Sequence, residues 1–176
     1  MPLIPWDEIT LISKLGEGGF GIVYKGTWKH GGEVAIKQIK SILEEDAELE
    51  LKNESSVMAK LNSPYIIRLF GLCWDENKYA LVMELMPNAS LSQLLRSGKE
   101  LPWDIRYSIA RDVAYGLRFL HDRKILHRDL KSANVLLDGN LRAKLSDFGL
   151  SKVKTQTAYI STNSWGGTVA DRKSVV

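Results

Sequence analysis

Two polar motifs in the second half of the chain constrain its fold more than any other stretch. The first is His-Arg-Asp-Leu-Lys-Ser-Ala-Asn over residues 127–134, and the second is Asp-Phe-Gly over residues 147–149. Asp129 could accept a proton from a hydroxyl group, while Asn134 and Asp147 could bind Mg²⁺ through oxygen, the ligand type that this ion prefers. Any one of these residues alone is typical of a turn. Their occurrence together, in this order and spacing, favours a functional site.

A glycine-rich stretch near the start of the chain, Gly-Glu-Gly-Gly-Phe-Gly over residues 16–21, fits the pattern GxGxxG. A dinucleotide-binding fold requires a helix at the last glycine, but here Ile-Val-Tyr-Lys follows, which is typical of a strand. The loop is therefore predicted to join two antiparallel strands. Gly16, Gly18 and Gly21 would let backbone N–H groups lie over phosphate oxygens. A glycine-rich hairpin without a ligand is the alternative for this motif taken alone.

A lysine and a glutamate form a second candidate pair. Lys37 ends the strand-like stretch Val-Ala-Ile-Lys, and Glu54 lies beside Leu51 and Met58 on the inner stripe of an amphipathic segment. A buried lysine that is paired with a carboxylate stays charged and can hold phosphate oxygens. The alternative is a solvent-facing lysine and a plain surface glutamate, against which the apolar neighbours of Glu54 argue.

The periodicity of apolar residues divides the chain into two regions. Strands are predicted at residues 9–15, 22–24, 33–39, 66–73 and 79–84. Helices are predicted at residues 44–61, at a short segment that Ser90 caps and that runs through Leu95, and at residues 103–120. The last helix carries its apolar stripe on Ile105, Ile109, Val113, Leu117 and Leu120. A β-rich region with one helix is thus followed by a linker near residues 84–90 and a helix-led region.

The composition excludes several classes of protein. A net charge of +3 over 176 residues gives no support to nucleic-acid binding, which requires clustered basic residues. No stretch approaches the roughly 18 consecutive apolar residues of a membrane span, and the first residues lack a secretory signal pattern. The single cysteine, Cys73, cannot form an internal disulfide and is expected to be a buried apolar side chain. We therefore expect a cytoplasmic protein without a membrane segment.

Taken together, the motifs resemble the eukaryotic-type protein kinase domain from residue 10 to about residue 168, and most closely its tyrosine-kinase-like branch of serine/threonine kinases. The resemblance implies an α+β, two-lobe fold with a complete N-lobe, made of an antiparallel sheet and one helix, and only the start of the helical C-lobe. The segments that it implies are an N-terminal lead-in at 1–9, an N-lobe at 10–83, a hinge at 84–90, a partial C-lobe at 91–169 and a divergent tail at 170–176.

The resemblance also implies ATP-dependent phosphoryl transfer to protein hydroxyl groups. Asp129 would be the catalytic base, Lys131 would steady the transferred phosphoryl group, and Glu54 would pair with Lys37. Asn134 and Asp147 would bind Mg²⁺. The residues implied to bind ATP are Leu15, Gly16, Gly18, Gly21, Val23, Ala35, Lys37, Met83, Glu84, Met86 and Leu136. Lys131 favours Ser/Thr acceptors, and dual specificity is left open.

The match to the family is lost near the end of the chain. The family's activation segment ends in Ala-Pro-Glu, whereas the residues from about Ala170 onward read Ala-Asp-Arg-Lys-Ser-Val-Val. A kinase domain truncated in its activation segment is therefore expected. Two alternatives to an active enzyme stay open: an inactive or regulatory fragment that binds ATP or another kinase domain, and a truncated gene model without the substrate-binding lobe.

Overall fold

The computed structural model describes residues 2–18, 21–39, 55–75, 78–147 and 152–153. The chain forms two compact units. The first unit contains Met1–Asn62 and Ile67–Met86, and the second contains Ser63–Ile66 and Pro87–Val176. The first unit is built on a β-sheet and the second contains the longest helix, so the predicted α+β class is confirmed.

The first unit is a six-stranded sheet with strand order β1-β5-β6-β4-β3-β2. The strands are β1 Leu3–Ile4, β2 Ile9–Gly18, β3 Gly21–Trp28, β4 Gly32–Ile39, β5 Leu69–Asp75 and β6 Lys78–Glu84. Strands β2 to β6 pair antiparallel, as predicted, whereas β1 adds to β5 in parallel. The sequence did not predict β1 because two residues are too few to show an alternating pattern. Helix α1 is described over residues 55–58, and the rest of its predicted range up to residue 54 lies outside the described residues.

The predicted strand at residues 66–73 begins three residues later than expected. Strand β5 starts at Leu69, while Ile66 forms an isolated parallel bridge with Leu145. Ile66 therefore belongs to the second unit, together with the rest of Ser63–Ile66. Apolar periodicity identified Ile66 as buried, but it could not show which of two cores the side chain enters.

Alternation along the strands gives the sheet two different faces, because residues opposite one another on neighbouring strands point to the same side. One face carries an apolar core of Ile4, Val34, Ile36, Cys73, Ala80 and Val82, with Trp6, Ile9, Trp28 and Phe70 packed against it. The register places Lys37 opposite Val23 and places Ala35 opposite Met83. These four residues therefore share the other face of the sheet.

The first residues of the chain belong structurally to this sheet. Leu72 N–H donates to the carbonyl of Pro2 at 3.1 Å, and Ile4 is 3% exposed within the apolar core. A 3-10 turn at Trp6–Glu8 follows, and Glu8 Oε2 accepts a hydrogen bond from Trp28 Nε1 at 3.0 Å. Residues 2–8 thus cover the edge of β5 and complete the core that lies beneath it.

The second unit consists of short strands around one long helix. Its elements are helices α2 Leu91–Arg96 and α3 Trp103–Asp122, and strands β7 Ile125–Leu126, β8 Val135–Leu137, β9 Ala143–Leu145 and β10 Lys152–Val153. β8 pairs with β9, and β7 pairs with β10, both antiparallel. The predicted cap of α2 is confirmed as a capping box between Ser90 and Gln93. Among the helices of the described residues, none is long and apolar enough to cross a membrane.

The buried face of α3 differs in part from its predicted apolar stripe. Ile109 and Leu120 are buried as expected, but the other three stripe residues are only half-buried. Asp112 and Gly116 occupy the remaining buried positions. Periodicity identifies apolar positions only. It could therefore predict neither the buried carboxylate of Asp112 nor Gly116, where Leu145 packs against the backbone of the helix.

Replacing Ile4 with alanine is expected to lower the free energy of unfolding of the first unit by about 2–5 kcal/mol, because it removes a buried side chain and leaves a cavity. Leu3→Ala is the matched control, since Leu3 lies on the same strand but is 70% exposed, and it should change stability by no more than about 0.5 kcal/mol. Urea unfolding followed by tryptophan fluorescence measures both. Equal effects of the two substitutions would contradict the placement of β1.

Candidate active site

The loop between β7 and β8 gathers the polar side chains of the first motif. Asp129 is buried, and its Oδ2 accepts hydrogen bonds from Lys131 Nζ at 2.8 Å and from Asn134 Nδ2 at 3.0 Å. Asn134 N–H also donates to the carbonyl of Lys131 at 2.9 Å, within the 3-10 turn Ser132–Asn134. Because one carboxylate oxygen is held by two donors from opposite ends of this short segment, the carboxyl group of Asp129 has a fixed orientation.

The side-chain amide of Asn134 also has a defined orientation. Its nitrogen lies 2.8 Å from the backbone carbonyl oxygen of Asp129 as well as 3.0 Å from Asp129 Oδ2. Only a donor can approach two acceptors in this way, so the group that faces Asp129 is the NH₂. The amide oxygen is then the atom through which Asn134 could bind a metal ion.

His127 connects this loop to the segment that follows β9. His127 Nε2 lies 2.9 Å from the carbonyl oxygen of Ser146, and its Nδ1 accepts from the N–H of Asp129 at 3.4 Å. A neutral ring with its proton on Nε2 satisfies both contacts. Burial lowers the pKa of His127 below its ordinary value of 6.5. The hydrogen bond with the Ser146 carbonyl and, to a smaller extent, the charges of Asp129 and Asp147 oppose this effect without cancelling it. The structure thus favours the neutral ring.

The β8–β9 hairpin brings the two predicted metal ligands to the same end of the unit. Asn134 directly precedes β8, and Asp147 follows β9 with Ser146 between them. The carbonyl oxygen of Asn134 accepts from Ser146 N–H at 2.9 Å and from Ser146 Oγ at 3.1 Å. Within the described residues, no three His, Cys, Asp or Glu side chains form a ready-made metal cluster. Mg²⁺ commonly takes only one or two protein carboxylates and completes its shell with phosphate and water, so the pair fits this ion.

Two residues of these motifs have left-handed backbone conformations. The φ angle is 64° at Arg128 and 63° at Asp147. Such conformations cost about 1–3 kcal/mol each for residues other than glycine, and they cluster at functional sites. Both residues adjoin the hydrogen bonds of His127, which hold the chain in this form.

The predicted adenine contact Leu136 lies on β8 and is half-buried. Leu136 forms an isolated antiparallel bridge with Ser90, and Leu137 N–H donates to the carbonyl of Ala89 at 2.9 Å. The last residues of the predicted hinge are thereby hydrogen-bonded to the strand that carries Leu136.

In the first unit, four predicted nucleotide contacts lie on one face of the sheet: Val23, Ala35, Lys37 and Met83. Glu84 points to the opposite face, because it pairs with Val34. The N–H of Glu84 donates to the carbonyl of Arg68 at 3.0 Å, and Met86 is buried at the end of this unit. Four of the predicted nucleotide contacts therefore share one face of the sheet, and the side chain of Glu84 does not.

The glycines of the loop between β2 and β3 have different structural roles. A side chain at Gly21 would collide with the backbone carbonyl of Gln38, so this glycine is required by packing. A Cβ at Gly16 would meet nothing within 4 Å among the described residues. Gly18 pairs with Gly21 across the hairpin, and Leu15 is exposed at an irregularity of the ladder. Packing alone therefore does not explain the glycine at position 16.

Some predicted features lie outside the described residues, and some features of the structure were not predicted. Glu54, residues 148–149 of the Asp-Phe-Gly motif and the divergent tail at 170–176 are not among the described residues. The sequence did not identify the ion pair between Asp112 and Arg142 or the role of Ser146. One sequence signal could have indicated the ion pair: the helical period places Asp112 on the same face of α3 as Ile109 and Gly116.

Comparison with known proteins identifies the relationship. A family model described as protein tyrosine and serine/threonine kinase matches residues 9–169. Cysteine-rich receptor-like protein kinase 10 of Oryza sativa subsp. japonica is 45% identical over 153 residues. Cysteine-rich receptor-like protein kinase 36 of Arabidopsis thaliana is 40% identical over 159 residues, and a protein of the same plant named as a G-type lectin S-receptor-like serine/threonine-protein kinase is 41% identical over 166 residues.

These relatives are much longer than the chain. The alignments cover 84%, 87% and 87% of this chain, but only 24%, 24% and 20% of the respective relatives. The chain thus spans less than a quarter of the length of the curated relatives it matches. The similarity concerns this one region of each relative.

The neutral state of His127 predicts how stability depends on pH. Because its pKa in the folded protein is lowered, this residue contributes stability that is complete above about pH 6.5 and is lost as pH falls through the folded-state pKa. His127→Gln should be less stable than the wild type at pH 7.5 but should lose less stability between pH 7 and pH 5. Urea unfolding across this range measures the slope.

His121→Gln provides the control, since His121 is exposed at the end of α3. This variant should keep the wild-type slope. A slope for His127→Gln as steep as that of the wild type would show that another group causes the loss.

Proposed function

The chain belongs to the protein tyrosine and serine/threonine kinase family, and from this membership we propose that it transfers the γ-phosphoryl group of ATP to serine or threonine hydroxyl groups of proteins. Its fold is kinase-like, with a sheet-based N-lobe and a partial C-lobe. The observation that carries the proposal is the arrangement around Asp129, where the carboxylate is buried and oriented by Lys131 and Asn134.

In this proposal Asp129 is the catalytic base. Its carboxylate accepts the proton of the attacking hydroxyl group, and the contacts to Lys131 and Asn134 hold it in one orientation. Lys131 carries a positive charge beside the same carboxylate, where it can also stabilise negative charge on a phosphoryl group. Both roles depend on positioning, which is the main contribution that a protein makes to phosphoryl transfer.

We assign the binding of Mg²⁺ to the amide oxygen of Asn134 and the carboxylate of Asp147. Both donors are oxygen atoms, and the hairpin holds their backbones together through Ser146. When bound, Mg²⁺ supplies positive charge that neutralises phosphate oxygens. The chain itself contributes the two ligands and the rigid connection between them.

We assign ATP binding to the residues that the resemblance to the kinase family implies. In the first unit, Val23, Ala35 and Met83 offer apolar contacts and Lys37, with Glu54 as its partner, offers charge for the phosphates. Because the N–H of Glu84 already donates to Arg68, the backbone contribution of Glu84 would come from its carbonyl oxygen. The remaining contacts proposed for the nucleotide are Leu15, Gly16, Gly18, Gly21, Met86 and Leu136.

The preference for serine and threonine rests on Lys131 and on the relatives, one of which is named a serine/threonine-protein kinase. Three peptides that differ only in a Ser, Thr or Tyr acceptor would test this preference. If the tyrosine peptide were phosphorylated as fast as the serine and threonine peptides, the chain would have dual specificity. A cytoplasmic location and an association with other kinase domains remain part of this proposal.

Asp129→Asn is expected to reduce phosphate transfer to a Ser/Thr-rich protein such as casein by about 10²–10⁴-fold, because the amide cannot accept the hydroxyl proton. Nucleotide affinity should be retained, since Asp129 is not among the proposed ATP contacts. Radiolabel transfer from ATP measures the rate, and fluorescence titration measures the affinity.

The matched control is Asp122→Asn, which makes the same chemical change at the exposed end of α3 and should keep wild-type activity. If the wild type and Asp129→Asn both showed only background transfer, with ATP binding intact in both, the chain would be an ATP-binding regulatory fragment and not an active enzyme. Equal and substantial activity in both would remove Asp129 from the role of base.

Substitutions at Gly16 and Gly21 are expected to distinguish an effect on nucleotide binding from an effect on folding. Gly16→Ala should leave the free energy of unfolding nearly unchanged, because its Cβ meets no described neighbour. It should weaken ATP binding by roughly 10-fold if one backbone hydrogen bond to phosphate is lost. Gly21→Ala should instead destabilise the first unit, because its Cβ collides with Gln38. Chemical unfolding and nucleotide titration distinguish these outcomes, and unchanged affinity in Gly16→Ala would contradict the phosphate role of that position.

A further inference from the structure

We propose that the ion pair between Asp112 and Arg142 is a positioning device for metal binding: it fixes the turn end of the β8–β9 hairpin to helix α3 and thereby sets the positions of Asn134 and Asp147 at the other end. This inference rests on the proposed role of those two residues as Mg²⁺ ligands. Asp112 and Arg142 touch neither the metal nor the nucleotide in this proposal and act only through the hairpin.

The pair has the geometry of a strong, directional contact. Arg142 Nε donates to Asp112 Oδ2 at 2.7 Å and Arg142 Nη2 donates to Asp112 Oδ1 at 2.9 Å. A third donor, Ala143 N–H, lies 3.2 Å from Asp112 Oδ2. Two parallel bonds from a guanidinium fix orientation as well as distance, which a single ammonium donor cannot do.

Asp112 is fully buried within α3, whereas the side chain of Arg142 is 47% exposed. Burial alone would raise the pKa of Asp112, but the hydrogen bonds from Arg142 and Ala143 outweigh it, so that the pKa lies below its ordinary value of 3.8. The carboxylate is therefore ionised at neutral pH and bound to the first residues of the hairpin's second strand. Arg111 Nη2 also lies 3.7 Å from Asp112 Oδ1, but this contact is longer and lies on the same helix.

The hairpin is short enough to transmit this anchor to the site. Each strand has three residues, and its turn is closed by Asp138, whose Oδ1 accepts from the N–H groups of Asn140 and Arg142. Four residues, Ala143–Leu145 and Ser146, separate Arg142 from Asp147, a span of about 17 Å when extended. At the far end, Ser146 binds the carbonyl of Asn134. A tilt at the turn would therefore move both proposed ligands.

A second anchor limits the hairpin to small movements. Leu145 N–H donates to the carbonyl of Tyr65 at 2.9 Å, and a Cβ at Gly116 of α3 would lie 2.9 Å from Leu145 Cδ1. The end of the hairpin nearest Asn134 and Ser146 thus rests directly on the helix backbone. Loss of the ion pair should release the turn end while this contact keeps the hairpin folded on the helix.

The test measures nucleotide binding with and without the metal, using the whole chain. ADP affinity is determined by calorimetry in about 5 mM Mg²⁺ and again in EDTA. The difference between the two affinities is the gain that depends on the metal. Arg142→Lys keeps the positive charge but loses the two-pronged contact, and we expect it to reduce the Mg²⁺-dependent gain by about 10-fold while the affinity in EDTA is unchanged. Asp112→Asn should act in the same direction.

Arg118→Lys is the matched control, because Arg118 lies on the exposed side of α3 with a longer contact of 3.9 Å to Asp122. It should behave as the wild type. A second readout needs no nucleotide: exchange of the Ser146 amide hydrogen should be about 10-fold faster in Arg142→Lys, while the amides of α2 exchange as in the wild type.

The outcomes separate this inference from the proposed function. A wild-type gain with Mg²⁺ that Arg142→Lys and Asp112→Asn retain in full would overturn the inference and leave the proposed function standing. A parallel loss of affinity with and without Mg²⁺ would also overturn it, because the pair would then act on stability alone. No gain in the wild type itself would overturn both the assigned ligands and the inference that depends on them.

Discussion

Hydrogen bonds among buried polar groups hold the loop between β7 and β8, and the geometry of the candidate site depends on them. A buried donor or acceptor left without a partner costs about 1–3 kcal/mol, so each group is stable there only while its partner is in place. His127 joins the backbone of Asp129 to that of Ser146, and Asn134 binds both Asp129 and Ser146. The same bonds offset the strained backbone at Arg128. The loop is therefore expected to behave as one cooperative unit, in which the loss of one hydrogen-bonding group weakens the bonds of the others.

A simple geometric rule separates the apolar core of the first unit from the residues that we propose to bind ATP. Alternate residues of β4 point to opposite sides, so Val34 and Ile36 enter the apolar core while Ala35 and Lys37 share the other face. A slip of the register by one residue would exchange the two sets, which is why the buried core fixes the position of the lysine. Substitutions on the two faces should accordingly have different consequences, although the residues are neighbours in sequence.

Local signals made much of this structure predictable. Strands β2 to β6 were found from alternation, helix α3 from its 3.6-residue period and the cap of α2 from Ser90, because each signal lies within the element that it describes. The motif residues of the candidate site were found from their order and spacing. What remained hidden depends on distant partners: the buried carboxylate of Asp112 is bound by Arg142 and Ala143, about 30 residues later. The proton position on His127 likewise follows from neighbours that no sequence pattern reveals.

The parallel strand β1 has a consequence for where this domain is taken to begin. The family match starts at residue 9, whereas the sheet already includes Leu3–Ile4. A recombinant fragment cut at the boundary of similarity would leave the backbone N–H and C=O groups of β5 uncovered along one edge. Open edges of this kind pair readily with other chains. Such a fragment would present β5 as an open edge strand, and any self-association through that edge would reflect the cut and not the intact domain.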